Sequence, residues 1–396
     1  MRILSLSGEK GLKELMREIK VDPYGIKIML PKAQSYLLKI NSLSGIASNI
    51  LKQELLSLGG DAALARDLLT GKVKKADCLV MANLSQLLRL SEKLKRQPFG
   101  LAKLAEELKS TLSNYQKDSF QLKAGRYTLN LGSRTHIMGI VNITPDSFSG
   151  DGLAGLSLDK AVEYASSLVR DGADIIDIGG ESSRPGAKSV SLKEEIARVI
   201  PLIKALARKI NKPLSIDTYK PEVAKIALDN GASIINDITG LRDSKIAKIA
   251  AHYKAAVVIM HMQGNPRTMQ KNPVYDSLID DIGEYLKAAI LKAQESGVGK
   301  QSIIIDPGIG FGKTLSHNLE ILKRLKEFKS LGMPILIGAS RKAFIGKILN
   351  ESEPGKRLAG TIAASISASL NGANILRVHD VKAVKEALKV TDRIKL

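Results

Sequence analysis

Residues 173–180 read ADIIDIGG, a short apolar run that ends in glycine, and runs of this kind recur along residues 136–396. Continuous apolar runs such as IIDI, VVIM and IIID are typical of parallel strands that are buried on both faces. The intervening segments, such as SLDKAVEYASSLVRDGA, place apolar residues at helical spacing and end at a glycine. Eight such strands are predicted, at residues 136–144, 173–180, 213–218, 233–239, 256–262, 302–308, 334–340 and 375–380.

Eight strand–helix units over this length predict an α/β fold of the (β/α)8 TIM barrel type, which typically takes about 250 residues. A doubly wound open sheet is the alternative, although such sheets seldom need eight evenly spaced units. We assign the barrel to residues 126–396, with a junction over 119–135, where Gly125 and Gly132 stand among polar residues.

Residues 1–125 have a different pattern, which predicts a smaller N-terminal α/β domain. Strands are predicted within 27–43 and at 76–84, and helices at 45–59, 85–98 and 99–116. No motif with a known chemistry occurs in this part of the sequence. We interpret it as a structural cap or an oligomerisation element, and its role stays open.

The composition limits the classes of function. Lys and Arg number 60 against 40 Asp and Glu, a formal charge of +20, which favours anionic partners. No long Lys/Arg run is present and aromatic residues make up only 4%, so we expect no nucleic-acid partner, although a basic nucleic-acid-binding protein remains an alternative.

The single Cys78 excludes an internal disulfide and fits a cytoplasmic location. No apolar run approaches the roughly 20 residues of a membrane helix, so no membrane association is expected.

Polar residues follow the carboxyl end of every predicted barrel strand, which is where barrel enzymes carry their active sites. Any one of them has a plain alternative role as a helix cap or a turn residue, but a polar residue after all eight strands is hard to explain in that way. In chain order they are Asn142, Glu181 with Ser182, Ser183 and Arg184, Asp217, Asn236 with Asp237, His261, Asp306, Ser340 with Arg341 and Lys342, and Arg377 with His379.

These residues suggest two groups with different chemistry. Asp217, Asn236 and Asp306 offer acceptors that suit a ligand rich in N–H donors, such as a 2-aminopyrimidinone edge. Arg377 and His379 lie two residues apart and share a face of one strand, which together with Asn142 and Ser183 suits an anion, such as a phosphate. An ion pair between Arg377 and Asp380 is the structural alternative.

A metal site made only of protein ligands is not expected, because the sequence holds no HExxH, CxxC or carboxylate trio. Mg²⁺ needs fewer protein ligands, and Asn142 together with substrate phosphates would suffice to hold it.

The stretch DPGIGFGKT (306–314) imitates a P-loop, but Pro307 stands where the first glycine is required. We interpret it as a turn that lets the backbone pass close to a ligand.

The strand-end stretches together resemble the dihydropteroate synthase family of pterin-binding barrels. The matching stretches lie in order over residues 136–380, namely MGIVNITPDSFSGDG, DIIDIGGESSRPGA, LSIDTYKPEVA, IINDITG, IIIDPGIGFGKT, PILIGASRKAFIG and ILRVHD. Two departures are visible: Ser183 stands where the family usually has Thr, and SFSGDG replaces the commoner SFSDGG.

The resemblance implies that 4-aminobenzoate displaces diphosphate from 6-hydroxymethyl-7,8-dihydropterin diphosphate and gives 7,8-dihydropteroate for folate synthesis. It implies catalytic roles for Asp217, Asp306, Lys342 and Arg377. The pterin would be held by Asp217, Asn236, Asp306 and Lys342, and the diphosphate by Asn142, Ser183, Arg377 and His379, with Mg²⁺ at Asn142. Loops 144–152 and 182–186 would close over the aminobenzoate, with Phe148, Arg184, Pro185 and Ser340.

Two further expectations follow. A folate-dependent methyltransferase that acts with a corrinoid protein is the alternative within the same fold, since it would share Asp217, Asn236 and Asp306. It would have no use for a diphosphate cluster, so Ser183 and Arg184, together with Arg377 and His379, favour the synthase. The Ala/Ser/Gly-rich segment at 360–372 also permits close helix packing, and we expect a homodimer through the C-terminal helices.

Overall fold

The computed structural model describes residues 1–4, 8–143, 157–182, 189–266 and 268–395. The chain divides into two compact units, Met1–Ser113 and Asn114–Leu396. The division lies before the expected boundary at 125/126, because residues 120–131 form a hairpin whose apolar side chains belong to the core of the barrel. None of the helices in the described ranges is both long and apolar enough to cross a membrane.

The first unit is a three-stranded antiparallel sheet with its helices. The strands have the order β1-β3-β2, and β3 alternates between buried residues such as Cys78 and Val80 and exposed ones such as Leu79 and Met81. Its elements are α1 (Gly8–Glu18), α2 (Pro23–Met29), β1 (Ser35–Ser44), α3 (Gly45–Leu56), β2 (Asp61–Leu64), α4 (Arg66–Leu69), β3 (Lys75–Asn83), α5 (Leu84–Leu94) and α6 (Leu101–Gln116), which runs on into the second unit.

The secondary structure predicted for this unit is largely confirmed. The predicted helices correspond to α3, α5 and α6, and the strand at 76–84 to β3. The strand signal over 27–43 is correct for β1 but wrong for residues 27–29, which belong to α2. A helix forms there because the side chain of Asp22 caps its first turn by accepting from the backbone N–H groups of Tyr24 and Gly25. Pro23 also fits the first turn of a helix.

The second unit is a closed parallel barrel, so the open-sheet alternative is wrong. Its strands have the order β11-β10-β9-β8-β7-β6-β13-β12, and a bridge between Ile305 and Ile335 joins the two ends. The hairpin strands are β4 (Phe120–Ala124) and β5 (Tyr127–Leu131), and the barrel strands are β6 (His136–Asn142), β7 (Ile175–Gly179), β8 (Leu214–Asp217), β9 (Ile234–Asp237), β10 (Ala256–Met260), β11 (Ile303–Asp306), β12 (Leu336–Ile337) and β13 (Ile375–Val378).

Helices cover the outside of the barrel and pack on its strands through the large aliphatic core. They are α7 (Leu158–Arg170), α8 (Leu192–Lys209), α9 (Pro221–Asp229), α10 (Ser244–His252), α11 (Leu278–Glu295), α12 (Leu315–Arg324), α13 (Ala343–Leu349), α14 (Leu358–Leu370) and α15 (Val381–Lys395).

The barrel interior is apolar at its amino end and polar at its carboxyl end. Side chains two residues apart on a strand share a face, so Ile175 is followed inside the barrel by Asp177 and Ile375 by Arg377. The hairpin closes the amino end, where Leu122 and Leu131 join a buried cluster with the first inward residues of the strands. The polar residues are therefore left for the opposite end, which is open to ligands.

Candidate active site

A buried ion-pair network lies at the centre of the polar end. Arg377 on β13 donates from Nε to Oδ2 of Asp177 at 2.6 Å and from Nη2 to Oδ2 of Asp217 at 2.7 Å. Asn236 donates from Nδ2 to the same Asp177 oxygen at 3.2 Å. The side chain of Asp177 is fully buried and that of Arg377 is 20% exposed, so water screens these contacts only weakly.

Asp217 is the titratable member of this network. Burial raises the pKa of Asp217 to about 7, against the opposing effect of Arg377, and the nearby carboxylates Asp177 and Glu195 raise it further. Asp237, next to Asn236, is committed to the backbone instead. Its carboxylate accepts from Thr239 N at 2.7 Å and from Leu241 N at 2.9 Å, which fixes the turn after β9.

Asp306 lies at the start of the glycine-rich turn after β11. Its Oδ1 accepts from Gly308 N at 2.7 Å, and burial raises the pKa of the carboxyl group. Gly308 has a φ of +75°, and an added Cβ would lie 1.9 Å from the carbonyl oxygen of His261, so only glycine fits there. The predicted turn is present, and its closeness to a ligand stays a prediction.

Lys342 reaches this turn from the end of β12, the strand next to β11 in the barrel. Its ammonium donates to the carbonyl of Ile309 and lies 4.6 Å from the ring centroid of Phe311. Burial lowers the pKa of Lys342 to about 8, although Asp306 favours its charged form. Lys342 and Asp306 therefore bring a cation and an acid to one edge of the site.

Lys313, in the same turn, is a residue that the sequence interpretation missed. Its buried ammonium donates to Phe311 O at 2.9 Å and lies 3.0 Å from Nδ1 of His261. Burial lowers the pKa of Lys313 to about 7 and that of His261 to about 2. The likeness to a P-loop depends on the glycines of this turn. Lys313 instead stabilises the turn through its hydrogen bond to the carbonyl of Phe311.

Ser340 and His379 form a pair at the neighbouring strand ends. Oγ of Ser340 lies 3.0 Å from Nδ1 of His379 and accepts from the backbone N–H of His379 at 3.2 Å. Asp380 is held by Arg341, with 2.6 Å from Nη2 to Oδ1. The proposed alternative of an ion pair between Arg377 and Asp380 is therefore wrong.

Asn142, at the end of β6, lies beside the ion-pair network. A Cβ added to Gly179 would lie 3.4 Å from Oδ1 of Asn142 and 3.5 Å from Cβ of Asp217, so this glycine leaves room for both side chains. Within the described residues no group of three or more His, Cys, Asp or Glu side chains is arranged to hold a metal ion. An amide oxygen and the ligand's own oxygens are the donors that remain for a hard cation.

A cavity of about 330 Å³ opens next to Asp217. Glu181, Tyr219 and Arg242 contribute polar walls, and Ile238 and Met262 contribute apolar ones. Ile238 and Met262 belong to a small apolar cluster that Phe311 and Tyr219 extend. A cavity with one acidic wall and an apolar floor suits a flat ring with N–H donors at its edge.

The structure brings most of the predicted residues to one end of the barrel. Asn142, Asp217, Asn236, Asp306, Ser340, Lys342, Arg377 and His379 all lie at or just beyond the carboxyl ends of strands. The expected separation into an acceptor group and a cationic group is wrong in one respect, since Arg377 bonds directly to Asp217. Ser183, Arg184, Pro185 and Phe148, with loop 144–152 and most of loop 182–186, lie outside the described residues.

Comparison with known proteins agrees with this geometry. A family model for pterin binding enzymes matches residues 138–379. A dihydropteroate synthase of Synechocystis sp. is 47% identical over 274 residues, which cover 69% of this chain and 94% of the relative.

Solved structures of dihydropteroate synthases are also similar to this chain. The Yersinia pestis dihydropteroate synthase in a sulfonamide drug complex superposes with a TM-score of 0.67 at 42% identity, covering 70% of this chain and 99% of the other. The Burkholderia cenocepacia dihydropteroate synthase complexed with 7,8-dihydropteroate gives a TM-score of 0.64 at 40% identity, over 70% of this chain and 96% of the other.

Proposed function

This chain belongs to the pterin-binding enzyme family, and we propose that the polar cluster at the carboxyl end of its barrel carries out its dihydropteroate synthase reaction. The reaction joins 4-aminobenzoate to the pterinylmethyl group of 6-hydroxymethyl-7,8-dihydropterin diphosphate. It releases diphosphate and gives 7,8-dihydropteroate. The observation that carries the assignment of residues is the set of acceptors at the strand ends, Asp217, Asn236 and Asp306, of which Asp217 lines a cavity with polar and apolar walls.

Binding of the pterin is assigned to Asp217, Asn236, Asp306 and Lys342. The two carboxylates and the amide accept hydrogen bonds from the N–H donors of the pterin edge, and Lys342 donates to a ring acceptor. The apolar cluster around Met262 and Phe311 supplies the surface on which the ring lies. Because these groups are held by the barrel, they need little rearrangement when the ligand binds.

The bond that breaks joins the pterin methylene carbon to an oxygen of diphosphate. The electron-rich ring conjugated to this carbon lets the oxygen leave with the bonding pair before the amine attacks. Positive charge that develops on the ring is stabilised by the carboxylates of Asp217 and Asp306. The nitrogen of 4-aminobenzoate then bonds to this carbon and loses one proton to water. An aromatic ammonium group is acidic, so no strong general base is needed for that loss.

The departing diphosphate is assigned to Arg377, His379, Asn142 and Ser183. Nε and Nη2 of Arg377, on β13, contact carboxylates, and His379 directly follows the end of that strand. We propose Asn142 as a protein ligand for Mg²⁺, because its amide oxygen lies near Asp217 at the strand ends. Mg²⁺ held there would supply positive charge that stabilises the leaving group.

The aminobenzoate is assigned to Ser340 and Arg184, with loops 144–152 and 182–186. Ser340 supports this assignment because it is buried at the strand end next to His379. In this proposal the second substrate lies on the side of the site where the diphosphate leaves.

The direct test combines purified protein, pterin diphosphate, 4-aminobenzoate and Mg²⁺, with the product identified by mass. We expect 7,8-dihydropteroate together with free diphosphate. Methyl transfer from a folate to a corrinoid protein, without diphosphate release, would instead support the methyltransferase alternative. Steeply salt-dependent binding of duplex or single-stranded nucleic acid, without product, would support the nucleic-acid alternative.

A variant of Arg377 tests its assignment to the phosphates. We expect Arg377→Ala to weaken binding of the pterin diphosphate about 10-fold more than binding of the unphosphorylated pterin, because charge-assisted contacts to phosphate are lost. Arg170→Ala, on the exposed face of α7, serves as the control. Equal losses for both ligands would show that Arg377 acts only through Asp217 and Asp177.

We also propose a homodimer in the cytoplasm. Small residues of segment 360–372, such as Ala364 and Ala368, are buried within the barrel unit, so the outward face of α14 with Leu358 and Leu370 is the surface offered to a second copy. Light scattering that gives a monomeric mass would overturn this. The buried free thiol of Cys78 fits a reducing compartment.

A further inference from the structure

Arg341 stands between two residues of the proposed site, Ser340 and Lys342, in a backbone conformation that favours glycine. Its φ is 57°, in the left-handed region, where the Cβ of an ordinary residue comes too close to the following carbonyl oxygen. A non-glycine residue persists there only where the surrounding structure imposes the conformation. The left-handed backbone of Arg341 therefore depends on the contacts that hold it.

Two hydrogen bonds hold the backbone of Arg341. Its N–H donates to Oγ1 of Thr361 at 2.9 Å, and its carbonyl oxygen accepts from Nη1 of Arg357 at 2.9 Å. Thr361 lies on α14, Arg357 directly precedes that helix, and both residues are buried. Water therefore competes little for these two hydrogen bonds. Both polar groups of the backbone at residue 341 are thus fixed to the start of α14.

The side chain of Arg341 joins the ends of two neighbouring barrel strands. Arg341 follows β12 and Asp380 follows β13, and these two strands are paired. The guanidinium donates from Nε to Oδ2 of Asp380 at 3.0 Å and from Nη2 to Oδ1 at 2.6 Å. The two side chains are only 13% and 19% exposed, so salt and water screen this ion pair less than one at the surface. Two parallel bonds fix the orientation of the pair as well as its distance.

The residues beside Arg341 and Asp380 belong to the proposed site. His379 directly precedes Asp380, and its backbone N–H donates to Oγ of Ser340 at 3.2 Å. Lys342 is the N-cap residue of α13, and its ammonium donates to the carbonyl of Ile309. Consecutive Cα atoms lie only about 3.8 Å apart, so a shift of residue 341 would move the residues on both sides of it.

We propose that Arg341 is a positioning residue for the synthase reaction. Its left-handed backbone sets the places of Ser340 and Lys342, and its ion pair with Asp380 sets the place of His379. Arg341 acts through these residues and not by contact with a substrate. The proposal rests on the function assigned above to Ser340, Lys342 and His379.

Two variants of Arg341 remove the same ion pair but differ in their backbone. Glycine adopts a φ of 57° freely, whereas alanine is strained there. In Arg341→Ala we expect the KM for 4-aminobenzoate and the Kd for the unphosphorylated pterin, measured by calorimetry, to rise at least about 10-fold. The reason is that a misplacement of about 1 Å costs up to about 10²-fold. Both values should rise by a smaller factor in Arg341→Gly. Losses in Arg341→Gly as large as those in Arg341→Ala would overturn the role given to the backbone.

Asp380→Asn tests the ion pair from the other strand and leaves Arg341 in place. The KM for pterin diphosphate should rise, because His379 is no longer fixed. The double variant should resemble Arg341→Ala alone, since the two residues share one interaction. Fully additive effects would show that the two residues act independently, which would overturn the proposal. If Arg341→Ala does not fold, Arg341→Gly and Asp380→Asn, which avoid the backbone strain, carry the test.

Direct contact between Arg341 and a substrate gives a different result. In that case Arg341→Ala and Arg341→Gly would weaken binding of 4-aminobenzoate equally, and Asp380→Asn would leave the binding of every ligand unchanged. This outcome would overturn the positioning role.

Arg324→Ala is the matched control. Arg324 is exposed on α12 and makes a similar two-bond ion pair with Glu327, with 2.7 Å from Nε to Oε1 and 2.9 Å from Nη2 to Oε2. Its loss should leave the KM and Kd values unchanged. Changes as large as those in Arg341→Ala would show that the effects are not specific to Arg341 and would overturn the proposal.

Hydrogen exchange gives a readout that does not depend on activity. In Asp380→Asn, amides at 339–343 and 378–381 should exchange faster than in Arg324→Ala, while amides of β7 should not. Unchanged exchange in both segments would overturn the positioning role even if activity fell. Faster exchange and weaker pterin binding in a protein whose parent chain makes no dihydropteroate would instead overturn only the proposed function.

Discussion

Arg377 and Asp217 form a direct ion pair inside the barrel, with 2.7 Å between Nη2 and Oδ2. Two strands, β7 and β6, separate the strands that carry them, so the arginine side chain crosses the barrel interior to make this contact. The pair explains how a carboxylate persists at a buried position whose pKa is raised by burial. A ligand that binds Asp217 therefore meets an acid whose charge depends on Arg377.

Asp217→Asn should weaken binding of the pterin about 10- to 100-fold, because hydrogen bonds to a charged acceptor contribute about 1.5–3 kcal/mol. Arg377 keeps its contact with Asp177 in this variant, so the fold should persist. Calorimetry with the unphosphorylated pterin measures the effect. Asp229→Asn, at the exposed end of α9, is the control, and an unchanged affinity in Asp217→Asn would remove Asp217 from the pterin site.

The affinity for the pterin should have a bell-shaped pH profile. Below the pKa of Asp217, raised by burial to about 7, the carboxylate takes up a proton, and above the pKa of Lys342, lowered by burial to about 8, the ammonium loses one. Affinity should therefore be highest between these values. Lys342→Arg keeps its charge at alkaline pH, so its upper limb should move to higher pH. A flat profile from pH 6 to 9 would contradict these assignments.

The same pKa predicts the direction of a stability effect. The value for Asp217 in the folded state lies above the ordinary value of 3.8, so the folded chain binds the proton more tightly than the unfolded chain. The contribution of Asp217 to the free energy of unfolding is therefore largest at low pH. It falls as the pH rises from about 4 to about 7. Asp217→Asn should remove this contribution, which urea titrations at several pH values measure.

The barrel and the polar strand ends were predictable because their signals are local. Each strand is a short apolar run, and each site residue stands at or just after its end, so periodicity and position alone bring Asp217, Asn236 and Asp306 together. The spacing of Arg377 and His379 also predicts a common face. It does not predict which partner the long arginine side chain reaches, and in the structure that partner is a carboxylate.

The features that were missed depend on contacts between distant residues. Asp177 lies within the apolar run IIDI and is recognisable as part of the site only through Arg377, two hundred positions later in the chain. The sequence predicts a junction where β4 and β5 form a hairpin, because these strands are short, partly polar and separated by a glycine. Its role depends on the open barrel end, which has no local signal.

Asp177→Asn should destabilise the barrel by about 3–5 kcal/mol, because it leaves part of a buried ion pair without its partner. Oδ2 of Asp177 accepts from both Arg377 and Asn236, and the side chain is fully buried. Urea unfolding followed by circular dichroism measures the change. Glu163→Gln removes an exposed ion pair with Arg170 and should leave the free energy of unfolding nearly unchanged. Similar effects for both variants would show that the Asp177 network contributes little.

Leu122 tests whether the hairpin is part of the barrel core. Its side chain is 1% exposed and belongs to the cluster in which Leu131 and the inward residues of the barrel strands close the amino end. Leu122→Ala removes a buried side chain and leaves a cavity there, which should lower the free energy of unfolding of the barrel by about 2–5 kcal/mol.

Leu291→Ala, on the exposed face of α11, is the matched control and should have a far smaller effect. Pterin affinity should stay the same in both variants, because the hairpin and Asp217 lie at opposite ends of the barrel strands. If Leu122→Ala were as stable as Leu291→Ala, residues 119–135 would be the simple junction that the sequence suggested.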